Sequence, residues 1–174
     1  MGVSYYAVAT SLIGLVGDYL FEERMRQDRL NTAKLASELV PFYAQSDISN
    51  VQKMLETASV DLGGRMIVLD KSGKVHADSE RALTGSCMVV SEVADILSHG
   101  QKDAYGVHTL KAEETEQTLD VLHFLQPFDR RAEWIAYCSA ALNDDGQTIG
   151  VLLYSSPIQE MMQRVFNLQD RMVM

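Results

Sequence analysis

The sequence predicts an α+β domain: a central antiparallel sheet of five or six strands, a long N-terminal helix on one side, a helical connection over the other, and a C-terminal helix. Three observations carry this reading. Two segments, 65–78 and 134–155, each read as two apolar runs broken by a polar, glycine-containing turn, the pattern of a β-hairpin. Helical periodicity fills the chain before the first segment and after the second. The 174 residues are 47% hydrophobic and 22% charged, which suits one globular domain with a proper core.

The first helix is expected over residues 5–40. Leu12, Val16 and Leu20 repeat at four-residue spacing, and so do Leu35 and Leu39. Between them residues 22–29 are almost wholly polar, with acidic residues placed ahead of basic ones, as Glu22 ahead of Arg26. Pro41 is expected to end the helix. A helix this long exceeds one small sheet, so part of it should project or pair with a partner. A second helix starts at an Asp47 N-cap, places Ile48, Val51, Leu55 and Ala58 on one face, and stops at Gly63-Gly64.

The first hairpin follows. Residues 65–70 form one strand, Lys71-Ser72-Gly73-Lys74 the turn, and residues 75–78 the return strand. After a loop containing Leu83-Thr84-Gly85, a short helix is expected over 91–99, ended by Gly100. Residues 104–110 and 119–126 read as strands joined by the acidic loop Glu113-Glu114-Thr115-Glu116. Residues 134–142 and 148–155 form the strongest hairpin, apolar along most of their length as central strands are. Ser156-Pro157-Ile158-Gln159 then reads as a capping box, and Ile158, Met161, Val165, Leu168 and Met172 fall on one stripe of a last helix.

The net charge of -9 argues against a nucleic-acid partner, which needs a basic face. Cys87 and Cys138 are too few for a disulfide framework or a zinc site and are expected as buried free thiols, with a single bridge between them as the alternative. Residues 1–17 lack a charged side chain, yet Ser4, Thr10, Ser11 and three glycines make them too polar and too short for a span of about 20 apolar residues. No phosphate-cradling glycine loop, His-Glu-x-x-His or Gly-x-Ser-x-Gly is present, so no catalytic residue is assigned. Asp78 with Glu80, and Asp144 with Asp145, are expected to serve turn backbone rather than acid-base chemistry. The four histidines, His76, His99, His108 and His123, are scattered, and no metal site is assigned.

A ligand pocket remains. Tyr105, His108, His123, Tyr137 and Ser139 are polar or aromatic groups within otherwise apolar strands, expected to converge beneath the 79–100 connection. Arg65, Arg81 and Arg130 are the cations that could meet a carboxylate ligand.

These residues bear a resemblance. Leu69-Asp70-Lys71-Ser72-Gly73-Lys74-Val75, Asp78-Ser79 with Leu83-Thr84-Gly85 downstream, and Asp145-Gly146-Gln147-Thr148-Ile149-Gly150-Val151 are similar to the extracytoplasmic PDC (single Cache, PAS-like) sensor domains of bacterial transmembrane histidine kinases. One departure is the segment 124–133, where many such domains pass more directly into the hairpin. The resemblance implies a single sensor domain over 1–174: a membrane-proximal helix at 1–45, a PAS-like core at 46–156, and a C-terminal helix at 157–174 leading to a second membrane span. It further implies a membrane-anchored parent kinase using ATP, with no cofactor in this portion, a small-molecule ligand, and a homodimer formed through the N-terminal helix. A chemoreceptor parent and a soluble PAS-like interaction module are the alternatives.

Overall fold

The computed structural model describes residues 2–88, 90–110, 117–119 and 133–173. The acidic loop at 113–116, the strand prediction beyond Leu119, His123, Arg130 and most of the 124–133 segment fall outside the described residues. In chain order the elements are α1 (Gly2–Ala44), α2 (Ile48–Leu62), β1 (Arg65–Leu69), β2 (Val75–Asp78), α3 (Ser91–Leu97), β3 (Asp103–Leu110), β4 (Gln117–Leu119), β5 (Glu133–Asp144), β6 (Gln147–Pro157) and α4 (Gln159–Val173). The six strands form one antiparallel sheet in the order β2-β1-β6-β5-β3-β4. This is the α+β architecture the sequence predicts.

Alternation along the strands sorts the core into two layers. On one face, Met66, Val68, Ala136, Cys138, Ala140, Leu152 and Tyr154 pack against α1 and α2. On the other, Ile67, Leu69, Val75, Tyr137, Val151 and Leu153 pack with Val90, Val93 and Ile96 from α3 and its approach. The central strands are apolar on both faces because helices cover both.

Helix α1 buries Phe21, Met25, Asp28, Thr32, Leu35 and Leu39 toward the sheet, at alternating four- and three-residue spacing. Pro41 does not end it. The proline lacks the N–H that would bond the carbonyl four residues back, yet packing of Tyr43, beyond it, against the core carries the helix on to Ala44, with Ser46 in the left-handed region. Arg26 pairs with Glu23, not Glu22, while Arg24 reaches Asp28. Helix α2 begins and ends as predicted: Asp47 accepts from the Asn50 N–H, and left-handed Gly63 donates to the Ser59 carbonyl.

Both predicted hairpins are present. The β1–β2 turn is built on Asp70, whose carboxylate accepts from the backbone N–H groups of Ser72 and Lys74 and from the Ser72 hydroxyl. The β5–β6 turn is tighter than its sequence suggests. Asp144 faces Gln147, so only Asp145 and Gly146 turn, both at positive φ. Helix α3 is two residues shorter than expected, ending at Leu97.

The capping box before α4 is overruled. Ser156 and Pro157 stay in β6, paired with Ala136 and Ile135, and the Ser156 hydroxyl accepts from Arg24 instead of an N-terminal amide. Gln159 Oε1 accepts from the Trp134 N–H, so α1 takes one capping group and β5 the other. The helix's first bond runs from Met162 N to the Ile158 carbonyl. Among the described side chains Ile158 and Met162 are buried, while Met161 is only half-buried, and α4 packs along α1. The side chains of Val165, Leu168 and Met172 lie outside the description. No described helix is long and apolar enough to cross a membrane.

Candidate functional site

Three of the predicted site residues meet on one face beneath α3. His108 and Ala104 share a face of β3, and Tyr137 and Ser139 share a face of β5. The register that sets Gly106 opposite Tyr137 and Ala104 opposite Ser139 brings the two sets together. The His108 and Tyr137 rings meet edge to face with centroids 4.8 Å apart. The Ser139 hydroxyl donates to the Glu92 carbonyl at 2.8 Å, tying α3 to the sheet.

Tyr105 does not join them. It lies three residues from His108, an odd number, so its side chain leaves the opposite face of the sheet. There it is 44% exposed, with the Arg29 guanidinium 4.7 Å above its ring and Arg29 also paired to Asp103. His123 lies outside the described residues.

Two participants escaped the sequence reading. Glu92, the second residue of α3, is 2% exposed, and its Oε1 lies 2.6 Å from Nε2 of the 1% exposed His108. Its Oε2 accepts from the Ser91 hydroxyl at 3.2 Å. Gly106 makes this possible, because a Cβ at 106 would collide with Glu92 Oε1. Signals for both existed. Glu92 stands four residues before Ile96 on the buried face of a short helix, and a lone glycine inside a strand marks a close approach.

The cations proposed for a carboxylate are engaged elsewhere. Arg65 forms a bidentate pair with Asp78 and a further pair with Glu80, and Arg81 pairs with Glu56. Asp78 is fully buried and also accepts from the backbone N–H groups of Glu80, Ala82 and Leu83. Burial works to raise its pKa, but the Arg65 guanidinium and those amides outweigh it and hold the carboxyl at about 2. As predicted, this aspartate serves turn backbone. It fastens the start of the connection that covers the site.

Cys138 is a buried free thiol, pushed up by burial to about 12, whereas Cys87 is free but exposed, against expectation. Exposure follows from its place at the outer rim, where the chain bridges back to Lys74. Two open grooves of about 330 Å³ lie away from the site. One, between α1 and α4, is lined by Leu20, Arg164, Asn167 and Arg171; the other lies between α1 and α2.

A six-stranded antiparallel sheet flanked by a long helix and a C-terminal helix, with a helical connection over the far face, is the fold of the PDC/Cache sensor domains. Solved structures similar to this chain include three such sensor or ligand-binding domains. The ligand-binding domain of Campylobacter jejuni chemoreceptor Tlp3 in complex with L-norvaline superposes with a TM-score of 0.62 at 15% identity, covering 92% of this chain and 62% of that one. The E. coli DcuS sensor domain gives 0.54 at 11% identity, covering 82% and 96%. The sensor domain of the V. cholerae histidine kinase DctB gives 0.50 at 12% identity, covering 93% and 57%. The chain thus spans about three-fifths of the length of the Tlp3 domain. No family profile matches the chain, and no curated protein does.

Proposed function

We propose that this chain is the extracytoplasmic sensing domain of a membrane receptor, taking a small molecule between the sheet and the 79–100 connection. The observation that carries the reading is the polar cluster of His108, Tyr137, Ser139 and Glu92, enclosed under α3 in a fold shared with a chemoreceptor ligand-binding domain. A few placed polar groups beneath a helical cover suit a small organic ligand. Thermal-shift screening with a metabolite library tests it, because a ligand specific for the folded state raises the melting temperature by mass action. No stabilising compound, together with unaltered signalling in a His108→Ala receptor, would remove the reading.

In this proposal the parent is a sensor histidine kinase of a two-component phosphorelay, anchored in the cell membrane, with its ATP-using core elsewhere in the protein. The similarity to the DctB sensor domain supports it. The similarity to Tlp3 favours a second reading, a chemoreceptor with the same domain. The full gene separates them: a kinase core supports the first, a methyl-accepting coiled coil the second. Homodimerisation through α1 belongs to the same proposal, supported by Tyr19 and Leu30, which are 66% and 57% exposed on this helix. Cross-linking of single cysteines placed along residues 12–20 of the full receptor should show helical periodicity.

A further inference from the structure

The carboxylate beneath α3 is supplied by the protein itself. Glu92 reaches from the helix to His108 on β3, and the Glu92 backbone carbonyl is held by Ser139 on β5. Strand β3 keeps a glycine in its interior, at a cost to strand stability, where the carboxylate oxygen lies. A hydrophobic residue at 92 with alanine at 106 would close this face without desolvating an acid. Replacing buried charged pairs by apolar residues is often neutral or stabilising. The notch, the imidazole and the Tyr137 ring together form a seat for a carboxylate, and the end of a glutamate side chain has the chemistry of propionate.

Resting on the sensing role proposed above, we propose that Glu92 is the internal occupant of the ligand site. The external ligand is a small carboxylate that takes over the His108 contact as Glu92 withdraws. Exchange of one carboxylate for another keeps His108 partnered throughout, and it removes one of the two polar ties between Glu92 and the sheet, leaving the Ser139 bond to the Glu92 carbonyl. Ligand and helix are therefore coupled: what binds at His108 does so in the arrangement with Glu92 unseated and α3 held less firmly. Apparent affinity in the native chain is lowered by the fraction of molecules in which Glu92 is seated.

The test titrates this chain, Glu92→Ala, Glu92→Gln and Gly106→Ala with sodium propionate, using propionamide, propylamine and sodium chloride as controls. Melting temperature and amide exchange over residues 91–97 are read together. Propionate is expected to bind Glu92→Ala about tenfold or more tightly than the native chain. In the native chain its binding should raise exchange across α3. Gly106→Ala should raise that exchange without ligand and bind propionate no better than the native chain, because its methyl fills the notch. If Glu92→Ala fails to fold, the isosteric Glu92→Gln carries the same comparison. Equal responses to propionate and propionamide, a response to propylamine instead, or native-like affinity in both Glu92 variants overturns the proposal. A library compound that stabilises the native chain while α3 exchange stays unchanged also overturns it, and leaves the sensing role standing.

Discussion

Asp78 anchors the cover of the site to the sheet, and Asp78→Asn measures how firmly. The native carboxylate is fully buried, grips both Nε and Nη2 of Arg65 at 3.0 and 2.6 Å, and accepts from three backbone amides. Its pKa falls from 3.8 to about 2, a difference of about 2 kcal/mol in favour of the charged form. Because the folded pKa is depressed, that stability is fully present above about pH 4 and is lost as pH falls through about 2. Asparagine also turns an amide donor toward Arg65 or the backbone N–H groups. Breaking a buried pair from one side costs about 3–5 kcal/mol, and the 24% exposure of the Arg65 side chain places this case at about 3. Urea unfolding of both proteins at pH 7, 4 and 3 is the assay. The gap between them should be about 3 kcal/mol at pH 7 and should narrow as pH falls. Asp70, also held at about 2, titrates in both proteins and cancels from the difference. A gap under about 1 kcal/mol, or one independent of pH, would refute the assignment of Asp78 as a charged anchor.

Tyr105→Ala should leave ligand-induced thermal shifts unchanged, because its ring faces Arg29 on the α1 side; loss of the shift would place the ligand on that face. Cys87 should react with a thiol reagent in the native protein, and Cys138 only after unfolding, as mass spectrometry of labelled peptides can read. Leu39→Ala, at a fully buried position between α1 and the sheet, should cost about 2–5 kcal/mol in a urea melt. Gly146→Ala, at a φ of +80°, should cost about 1 kcal/mol, measured in the same way.

The parts of the fold that were legible are those where local chemistry and tertiary packing agree. Asp47 and Gly63 bound α2 through their own conformational preferences, and the apolar runs of β1, β5 and β6 fit strands covered on both faces. Pro41 and the Ser156–Gln159 box misled for the opposite reason: sound local signals met a stronger long-range claim. A strand pairing holds Ser156 and Pro157, and packing of Tyr43 against the core carries α1 past its proline. In the site, His108, Tyr137 and Ser139 were found as polar residues in apolar strands. Tyr105 departs from their face by parity, visible in the sequence, since 105 and 108 cannot share a face of a regular strand. Glu92 was hidden because an acidic residue on a short helix ordinarily faces water. The lone glycine in β3 signals a close approach, and the packing of α3 over β3 shows that Glu92 is what approaches it.

Strand β5 makes the chemistry under α3 relevant to the rest of the molecule, because it touches α1, α3 and α4. Tyr137 and Ser139 turn one face of it to His108 and to α3. Ala136, Cys138 and Ala140 turn the other to the core layer beneath α1, and these small side chains leave little volume to absorb a shift. Its first residues grip the start of α4 twice, through Trp134 N–H to Gln159 and Ile158 N–H to the Trp134 carbonyl. Arg24 closes the circuit from α1 to Ser156 at the end of β6, two residues before Ile158. A change of occupant beneath α3 therefore acts on a strand to which both long helices are fixed by packing and hydrogen bonds. The sign of the response depends on which arrangement of β5 the ligand binds more tightly, since a ligand indifferent to the two moves nothing. Seating Glu92 in one arrangement only would give the sheet that preference before any ligand arrives.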